Sequence, residues 1–176
     1  GRIPEVPIYV DSPLAVDVTT VCRLHPEVFD RRERMVETTN ELFDFPLLRY
    51  VREVSDSKAL DAGTGPAVII AASGMVESGR ILHHLAHGIG DHRNLVLFVG
   101  FQAEHTLGRR IQGGQQVVRI LGQEYERRAE VETISGSSAH ADRNELRAWV
   151  RRLGGPVRRA FVVHGETEAL DAMAAI

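Results

Sequence analysis

The sequence has little cysteine, little lysine and no long apolar run. Cys22 is the only cysteine among 176 residues, so neither an internal disulfide nor a cysteine-rich metal site is expected. No segment approaches the roughly 18 apolar residues of a membrane-spanning helix, and no secretion signal is recognisable, so we expect a cytoplasmic protein without a membrane partner. The sequence begins without methionine and ends inside a predicted helix, so we expect a piece of a longer protein.

Charge alone does not identify a partner. The net charge is -3, and Lys58 is the single lysine among the basic residues. Residues 1–108 carry 10 basic and 15 acidic groups, whereas residues 109–176 carry 11 basic and 9 acidic groups. Arginine suits bidentate contact with phosphate, but genome base composition is the favoured explanation of the arginine bias. The charge pattern therefore neither favours nor excludes a nucleic-acid partner.

Apolar strands alternate with amphipathic helices along the chain. Residues 6–10 predict a strand, and Ser12 followed by Pro13 is typical of a helix start. Residues 67–72 are the strongest strand candidate and are continuously apolar, which predicts burial on both faces; residues 94–100 predict a second fully apolar strand. This alternation with short turns predicts an α/β fold with a mostly parallel sheet and helices on both faces.

The remaining segments predict further elements. Residues 30–43 have helical spacing, and residues 117–121 and 130–134 predict strands that could pair as a hairpin. Residues 141–152 predict an amphipathic helix, and residues 160–163 predict a last strand.

Two of the eight histidines lie where α/β proteins place their chemistry. His164 directly follows the predicted strand 160–163, which would put its imidazole at the carboxyl edge of a sheet. His140 precedes a predicted helix and follows the small residues 136–138, whose N–H groups and hydroxyls could hold a phosphate. A purely structural role is an equally good interpretation of each histidine taken alone. His83 and His87 share a helix face but lack a third ligand, so packing or surface roles are favoured.

Taken together, the motifs are similar to those of a known family. The sequence resembles the β-CASP group of metallo-β-lactamase-fold nucleases, most closely the bacterial and archaeal RNA-processing members, which include exonucleases and endonucleases. The resemblance covers essentially the whole chain in the right order. The matching segments are residues 3–15, 72–75 (Ala-Ser-Gly-Met), 79–85, 99–110, 138–142 (Ser-Ala-His-Ala-Asp) and 162–166 (Val-Val-His-Gly-Glu).

The resemblance implies roles for individual residues. His140 matches the histidine near the scissile phosphate, a candidate general acid for the leaving oxygen, and His164 matches a zinc ligand. Asp142, in the same motif as His140, is expected to cap a helix because it lies in the first turn. The implied RNA contacts are made by Ser73, Gly74, Ser138 and Arg109. For Ser73 and Gly74 the alternative is a tight turn chosen for packing, and for Arg109 a solvated helix face.

The resemblance also implies an organisation into parts. Residues 1–122 correspond to a β-CASP domain and residues 123–176 to an incomplete segment that returns to the metallo-β-lactamase fold. The parent protein is expected to hold two zinc ions, with the other ligands on a missing N-terminal metallo-β-lactamase domain. This fragment alone is then expected to bind no zinc pair and to cleave no RNA. Whether the parent forms a homodimer is left open.

Two alternatives remain at this stage. The first is a non-catalytic RNA-binding or scaffolding relative of the same family, which an intact upstream His-x-His-x-Asp-His motif would exclude. The second is an unrelated small α/β enzyme, which would require a complete catalytic constellation within these residues. Retention of both His140 and His164 favours a nuclease over the first alternative.

Overall fold

The structure is a computed structural model that describes residues 5–29, 43–136 and 140–175. The predicted helix 30–43, apart from Phe43, and the predicted RNA contact Ser138 lie outside the described residues. The strands are β1 (Ile8–Asp11), β2 (Leu48–Tyr50), β3 (Val68–Ala71), β4 (Leu95–Phe98), β5 (Val117–Ile120), β6 (Gln123–Glu126) and β7 (Glu130–Thr133). The α-helices are α1 (Pro13–Leu24), α2 (Val54–Asp61), α3 (Ile81–Gly88), α4 (Leu107–Gln112), α5 (Arg143–Arg151) and α6 (Thr167–Ala174), and a 3-10 turn covers Pro26–Val28.

Parallel strand pairs connected through helices confirm the predicted α/β class. A three-stranded parallel sheet has the order β2-β1-β3, with Ile8 opposite both Leu48 and Val68. β4 pairs with β7 in a second parallel ladder, and β5 pairs with β6 in an antiparallel one. None of the described helices is long and apolar enough to cross a bilayer.

The prediction that residues 67–72 are buried on both faces is wrong. In β3, Val68 is 43% and Ile70 52% exposed, while their neighbours in the strand are half-buried. β4 shows the same alternation: Leu95 and Leu97 are exposed and Phe98 is buried. Each strand therefore packs one face on the core, although its outer face is also apolar.

The prediction that residues 117–121 form a hairpin with residues 130–134 is also wrong, because β5 pairs with β6. β5 turns back through Leu121 and Gly122, whose positive φ angles of 49° and 84° suit a two-residue hairpin turn. The partner strand β6 lies within the polar stretch that follows. Its Tyr125 packs against the core while the flanking polar side chains are exposed, which explains the low apolar content of this strand.

The core lies between α3, α4 and the strands β4 and β5. Its buried residues are Val76, Leu85, Ile89, Phe98, Leu107, Ile111, Val118, Ile120 and Ala129. The carbonyl oxygen of Ile89, just after α3, accepts hydrogen bonds from the N–H groups of Arg128 and Ala129 at 2.9 and 3.0 Å. The core thus fixes α3 and α4 next to the loop that follows β3.

Local signals correctly placed the start of α1. Ser12 is the N-cap, its hydroxyl accepts from the Ala15 N–H at 3.3 Å, and Pro13 occupies the first helical turn. This cap puts Asp11 and Ser12 at the carboxyl end of β1, beside the end of β3.

Candidate functional site

The loop of residues 72–79, which we call the Ser73 loop, leaves the sheet at the carboxyl end of β3. The two ends of the loop are joined by hydrogen bonds, from Ser73 N–H to the Ser78 carbonyl at 3.2 Å and from Ile81 N–H to the Ala72 carbonyl at 3.2 Å. Gly79 closes the loop with φ of 82°, and a Cβ there would lie 2.6 Å from the Ala72 oxygen. Only glycine fits this closure without strain.

The Ser73 loop is held by hydrogen bonds from the segment that leads into α4. The Gln102 side-chain Nε2 donates to the Gly74 carbonyl at 2.8 Å, and the Gly108 N–H donates to the Met75 carbonyl at 3.1 Å. Glu77 Oε1 accepts from the Leu107 N–H at 2.5 Å. These contacts point the loop carbonyls toward the protein.

Two consecutive N–H groups of the loop have no acceptor among the described residues. Those of Gly74 and Met75 form no hydrogen bond within the part of the chain that the structure describes, and both residues are exposed. The Ser73 hydroxyl belongs to the same loop, and Ser73 is half-buried. Successive free N–H groups beside a hydroxyl, at the carboxyl end of a parallel strand, can bind an anionic oxygen.

A buried ionic cluster lies next to this loop and was missed by the sequence analysis. Asp11 is fully buried, and its carboxylate accepts hydrogen bonds from Ser57 Oγ at 2.6 Å, Arg80 Nη1 at 2.5 Å and His84 Nε2 at 2.7 Å. His84 Nδ1 lies 2.5 Å from Asp61 Oδ1. We call these five residues the Asp11 cluster. Since both ring nitrogens of His84 face carboxylate oxygens, both donate only when the ring is an imidazolium.

Arg80 connects the Asp11 cluster to the Ser73 loop. It directly follows Gly79, and its guanidinium also donates to the carbonyl oxygens of Val51 at 3.1 Å and of Arg52. The guanidinium therefore ties the end of the loop to β1 and to the chain after β2. A sequence signal for this role existed, because Arg80 and His84 are one helical turn apart.

The cluster keeps Asp11 ionised. Burial alone would raise the pKa of Asp11, but hydrogen bonds from Ser57, Arg80 and His84, together with the charge of Arg80, outweigh it. The net result is a pKa below the ordinary value of 3.8. The carboxylate is thus a structural anion that organises cations and helices, and it is not available as a proton donor near neutral pH.

Arg109 lies on α4, the helix whose Gly108 contacts the Ser73 loop. Its Nη1 donates to the Gln102 backbone carbonyl at 3.4 Å, and the residue is exposed. The backbone of Arg109 is fixed by the Thr106 N-cap, whose hydroxyl accepts the Arg109 N–H at 3.1 Å. Two predicted contacts, Gly74 and Arg109, are therefore both hydrogen-bonded to Gln102, the first by its side chain and the second by its backbone carbonyl.

His140 lies three residues before α5, at an exposed position. The helix start is built as predicted, because Asp142 is the N-cap and its Oδ1 accepts the N–H groups of Asn144 at 2.7 Å and Glu145 at 2.9 Å. Glu145 Oε2 accepts the Asp142 N–H at 2.8 Å and completes a capping box. This cap fixes the direction in which the chain enters α5 after His140.

His164 does not follow a strand, which corrects the predicted strand over residues 160–163. That segment is extended but unpaired, and its apolar side chains are exposed, Phe161 to 78%. His164 itself has φ of 65°, in the left-handed region. The apolar run predicted a strand, but a strand also requires a partner, and the described residues provide none here.

The described residues do not by themselves form a zinc centre. Among residues 5–29, 43–136 and 140–175, no group of three or more His, Cys, Asp or Glu side chains could hold a metal ion. Zinc requires about four ligands, of which His164 would be one. Two other histidines, His84 and His87, form hydrogen bonds within the protein. His84 lies in the Asp11 cluster, and His87 Nδ1 donates to the His83 carbonyl at 2.8 Å.

Comparison with known families assigns the class of the protein. The Beta-Casp domain matches residues 1–111, and the Zn-dependent metallo-hydrolase RNA specificity domain matches residues 124–175. The chain belongs to the β-CASP family of metallo-β-lactamase-fold nucleases, as the motifs indicated.

Individual relatives refine this assignment. Ribonuclease TTHA0252 of Thermus thermophilus is 42% identical over 176 residues, which cover 98% of this chain and 39% of the relative. Transcription termination factor FttA of Thermococcus kodakarensis is 33% identical over 98% of this chain and 28% of the relative. FttA of Methanosarcina mazei is 31% identical over 96% of this chain and 28% of the relative. The chain thus spans well under half the length of these relatives.

Proposed function

We propose that this chain is the RNA-contacting part of a zinc-dependent ribonuclease that hydrolyses RNA phosphodiester bonds. The observation that carries the proposal is the Ser73 loop, which presents two outward N–H groups, from Gly74 and Met75, beside the Ser73 hydroxyl. Phosphate contacts of this kind position an RNA backbone. Family membership and a relative named as a ribonuclease support RNA as the ligand.

We assign Arg109 to the same surface. Its guanidinium donates to the Gln102 backbone carbonyl, and the Gln102 side chain in turn contacts the Gly74 carbonyl of the Ser73 loop. Ser138, in the segment before His140, is proposed as a further phosphate contact on the basis of the family motif alone.

The two motif histidines are proposed to act in the parent protein. His140 would donate a proton to the leaving oxygen of the cleaved phosphodiester, for which an imidazolium within hydrogen-bond reach is suited. His164 would supply one neutral ring nitrogen to a zinc ion, and residues outside this chain would supply the other ligands of a two-zinc site. When bound, such a metal pair activates water for attack on the phosphorus.

The proposal divides the chain into a β-CASP domain, residues 1–122, and a returning segment, residues 123–176. The partner of both parts would be an N-terminal metallo-β-lactamase domain, in a cytoplasmic protein. It follows that the 176-residue chain alone cleaves no RNA. Purified chain incubated with labelled RNA and Zn²⁺ should leave the RNA intact, and robust zinc-dependent cleavage would contradict the proposal.

The role of Ser73 is testable in the full-length enzyme. Ser73→Ala removes the hydroxyl from the loop and is expected to raise KM for RNA while kcat changes less, because the lost contact lies on the RNA backbone and away from the reacting bond. Ser55→Ala is the matched control, since the Ser55 hydroxyl is exposed and contacts only Asp56 at 3.4 Å. An unchanged KM for Ser73→Ala would contradict the assignment of Ser73 as an RNA contact.

A non-catalytic RNA-binding or scaffolding role is the second candidate, and the relatives named as transcription termination factors support it. The two candidates differ in what His140 does. In the nuclease, His140→Ala should reduce kcat strongly and leave RNA affinity nearly unchanged. A parent protein with no RNase activity before the substitution would favour the second candidate.

A further inference from the structure

Gln102 is a polar residue in a place where an apolar one would be expected. It is 2% exposed and lies between the end of β4 and the start of α4, beneath the Ser73 loop. Its Nε2 donates to the Gly74 carbonyl at 2.8 Å, and its second N–H lies between the Gly100 and Phe101 carbonyls, each 3.2 Å from Nε2. The side-chain amide therefore serves as a donor only.

The other end of the same amide has no partner. Gln102 Oε1 is buried and has no hydrogen-bond donor among the described residues. The opposite amide orientation would place this oxygen against three carbonyls, so the assignment of the two ends is fixed by the surroundings. A buried acceptor without a donor is unfavourable, and an apolar side chain would avoid it. What the position needs is therefore the N–H donor directed at the loop.

Gly108 makes room for this arrangement. A Cβ at Gly108 would lie 1.8 Å from Gln102 Oε1, and the Gly108 N–H donates to the Met75 carbonyl. The start of α4 thus seats the Gln102 amide and holds the next peptide of the loop at the same time.

Holding one carbonyl decides where the next N–H points. The Gly74–Met75 peptide is planar and trans, so its C=O and N–H point in opposite directions. Because Gln102 draws the Gly74 carbonyl inward, the Met75 N–H is directed outward. This is one of the two N–H groups that have no acceptor in the described part of the chain.

We propose that Gln102 is a positioning residue that aims the Met75 N–H at an RNA phosphate by holding the Gly74 carbonyl. The inference rests on the proposed function, in that the Ser73 loop is taken to contact the RNA backbone. Gln102 itself is buried and does not touch RNA.

Two substitutions of Gln102 separate its donor from its volume. Gln102→Met keeps the length and burial but removes the donor. Gln102→Glu keeps the shape and opposes the Gly74 carbonyl with a carboxylate at pH 8, whereas its protonated form at low pH can donate to that carbonyl. Gln115→Glu is the matched control, because Gln115 is exposed and its Nε2 donates to the Val117 carbonyl, away from the loop.

The experiment is an NMR titration of the ¹⁵N-labelled 176-residue chain with a short single-stranded RNA oligonucleotide. In the wild-type chain, RNA should shift the Gly74 and Met75 amide resonances. Gln102→Met should weaken RNA binding by about tenfold or more, the effect of losing one aligned phosphate contact. Gln102→Glu should bind RNA more weakly than wild type at pH 8, and its affinity should approach that of wild type at pH 5. The ratio of the RNA affinity of Gln115→Glu to that of wild type should be the same at both pH values.

The outcomes distinguish the inference from the function on which it rests. If RNA leaves the Gly74 and Met75 resonances unmoved in the wild-type chain, the proposed loop contact is wrong. If those resonances move but Gln102→Met binds as tightly as wild type, the loop contact stands and the role of Gln102 is overturned. If Gln102→Met does not fold, the pH dependence of RNA binding by Gln102→Glu tests the inference instead. Equal ratios of its RNA affinity to that of wild type at pH 8 and pH 5 overturn the inference.

Discussion

Replacement of Asp11 by asparagine measures what the Asp11 cluster contributes to stability. The substitution keeps the side-chain volume and one acceptor oxygen but removes the negative charge that faces Arg80 and His84. The side chains of these two partners are only 17% and 8% exposed, so water does not replace the lost carboxylate. Breaking a buried ion pair from one side typically costs about 3–5 kcal/mol.

We therefore expect Asp11→Asn to lower the free energy of unfolding by about 3 kcal/mol, the lower end of that range, because one acceptor remains. For a chain of this size the Tm should fall by roughly 6 °C or more. Urea unfolding followed by far-UV circular dichroism at pH 7 measures the difference. The control is Asp17→Asn, which breaks an exposed ion pair with Arg52 at 2.7 Å and should cost at most about 1 kcal/mol.

The pH dependence gives the same prediction a second test. The folded-state pKa of Asp11 is lowered from 3.8, so its stabilisation is fully present above pH 3.8 and is lost as the pH falls through the folded-state value. The difference in unfolding free energy between wild type and Asp11→Asn should thus shrink in strong acid, as the pH falls below 3.8. A cost for Asp11→Asn no larger than that of Asp17→Asn would refute the reasoning.

Two further substitutions test local features of the fold. Asp142→Ala removes the cap of α5, whose Oδ1 accepts the Asn144 N–H, and should cost about 1 kcal/mol in urea unfolding with a small loss of helical signal; no change in either would contradict the cap. Gly79→Ala forces a side chain into a positive φ and to 2.6 Å from the Ala72 oxygen, and should cost at least about 1–2 kcal/mol. Gly74→Ala is its control for stability, because nothing lies within 4 Å of the added Cβ, and equal costs for the two would contradict the proposed closure of the Ser73 loop.

Features that depend on neighbouring residues were predictable from the sequence. Ser12 with Pro13, and Asp142 with Glu145, are complete capping signals within four residues, and the structure contains both caps. The order of strands and helices likewise follows from local apolar runs and turns. These signals were sufficient for the α/β class.

Features that depend on tertiary contacts were not predictable. The outer face of β3 is as apolar as its inner face, so composition could not reveal that Val68 and Ile70 are exposed. The Asp11 cluster joins positions up to 73 residues apart, and nothing in the local pattern pairs Asp11 with His84. The role of Gln102 was not predictable either, because it depends on three backbone carbonyls that the fold brings together around its side chain.

The way in which the Ser73 loop is held has a consequence for which RNAs it can select. Its free donors are backbone N–H groups, and a contact from such groups to phosphate oxygens carries no sequence information. Because Arg80 and Gln102 already fix the loop in the folded protein, little conformational entropy is lost when a ligand arrives. If the loop contacts RNA as proposed, this contact does not depend on the nucleotide sequence, and a preference for particular RNAs would come from the shape or the ends of the strand, or from other parts of the protein.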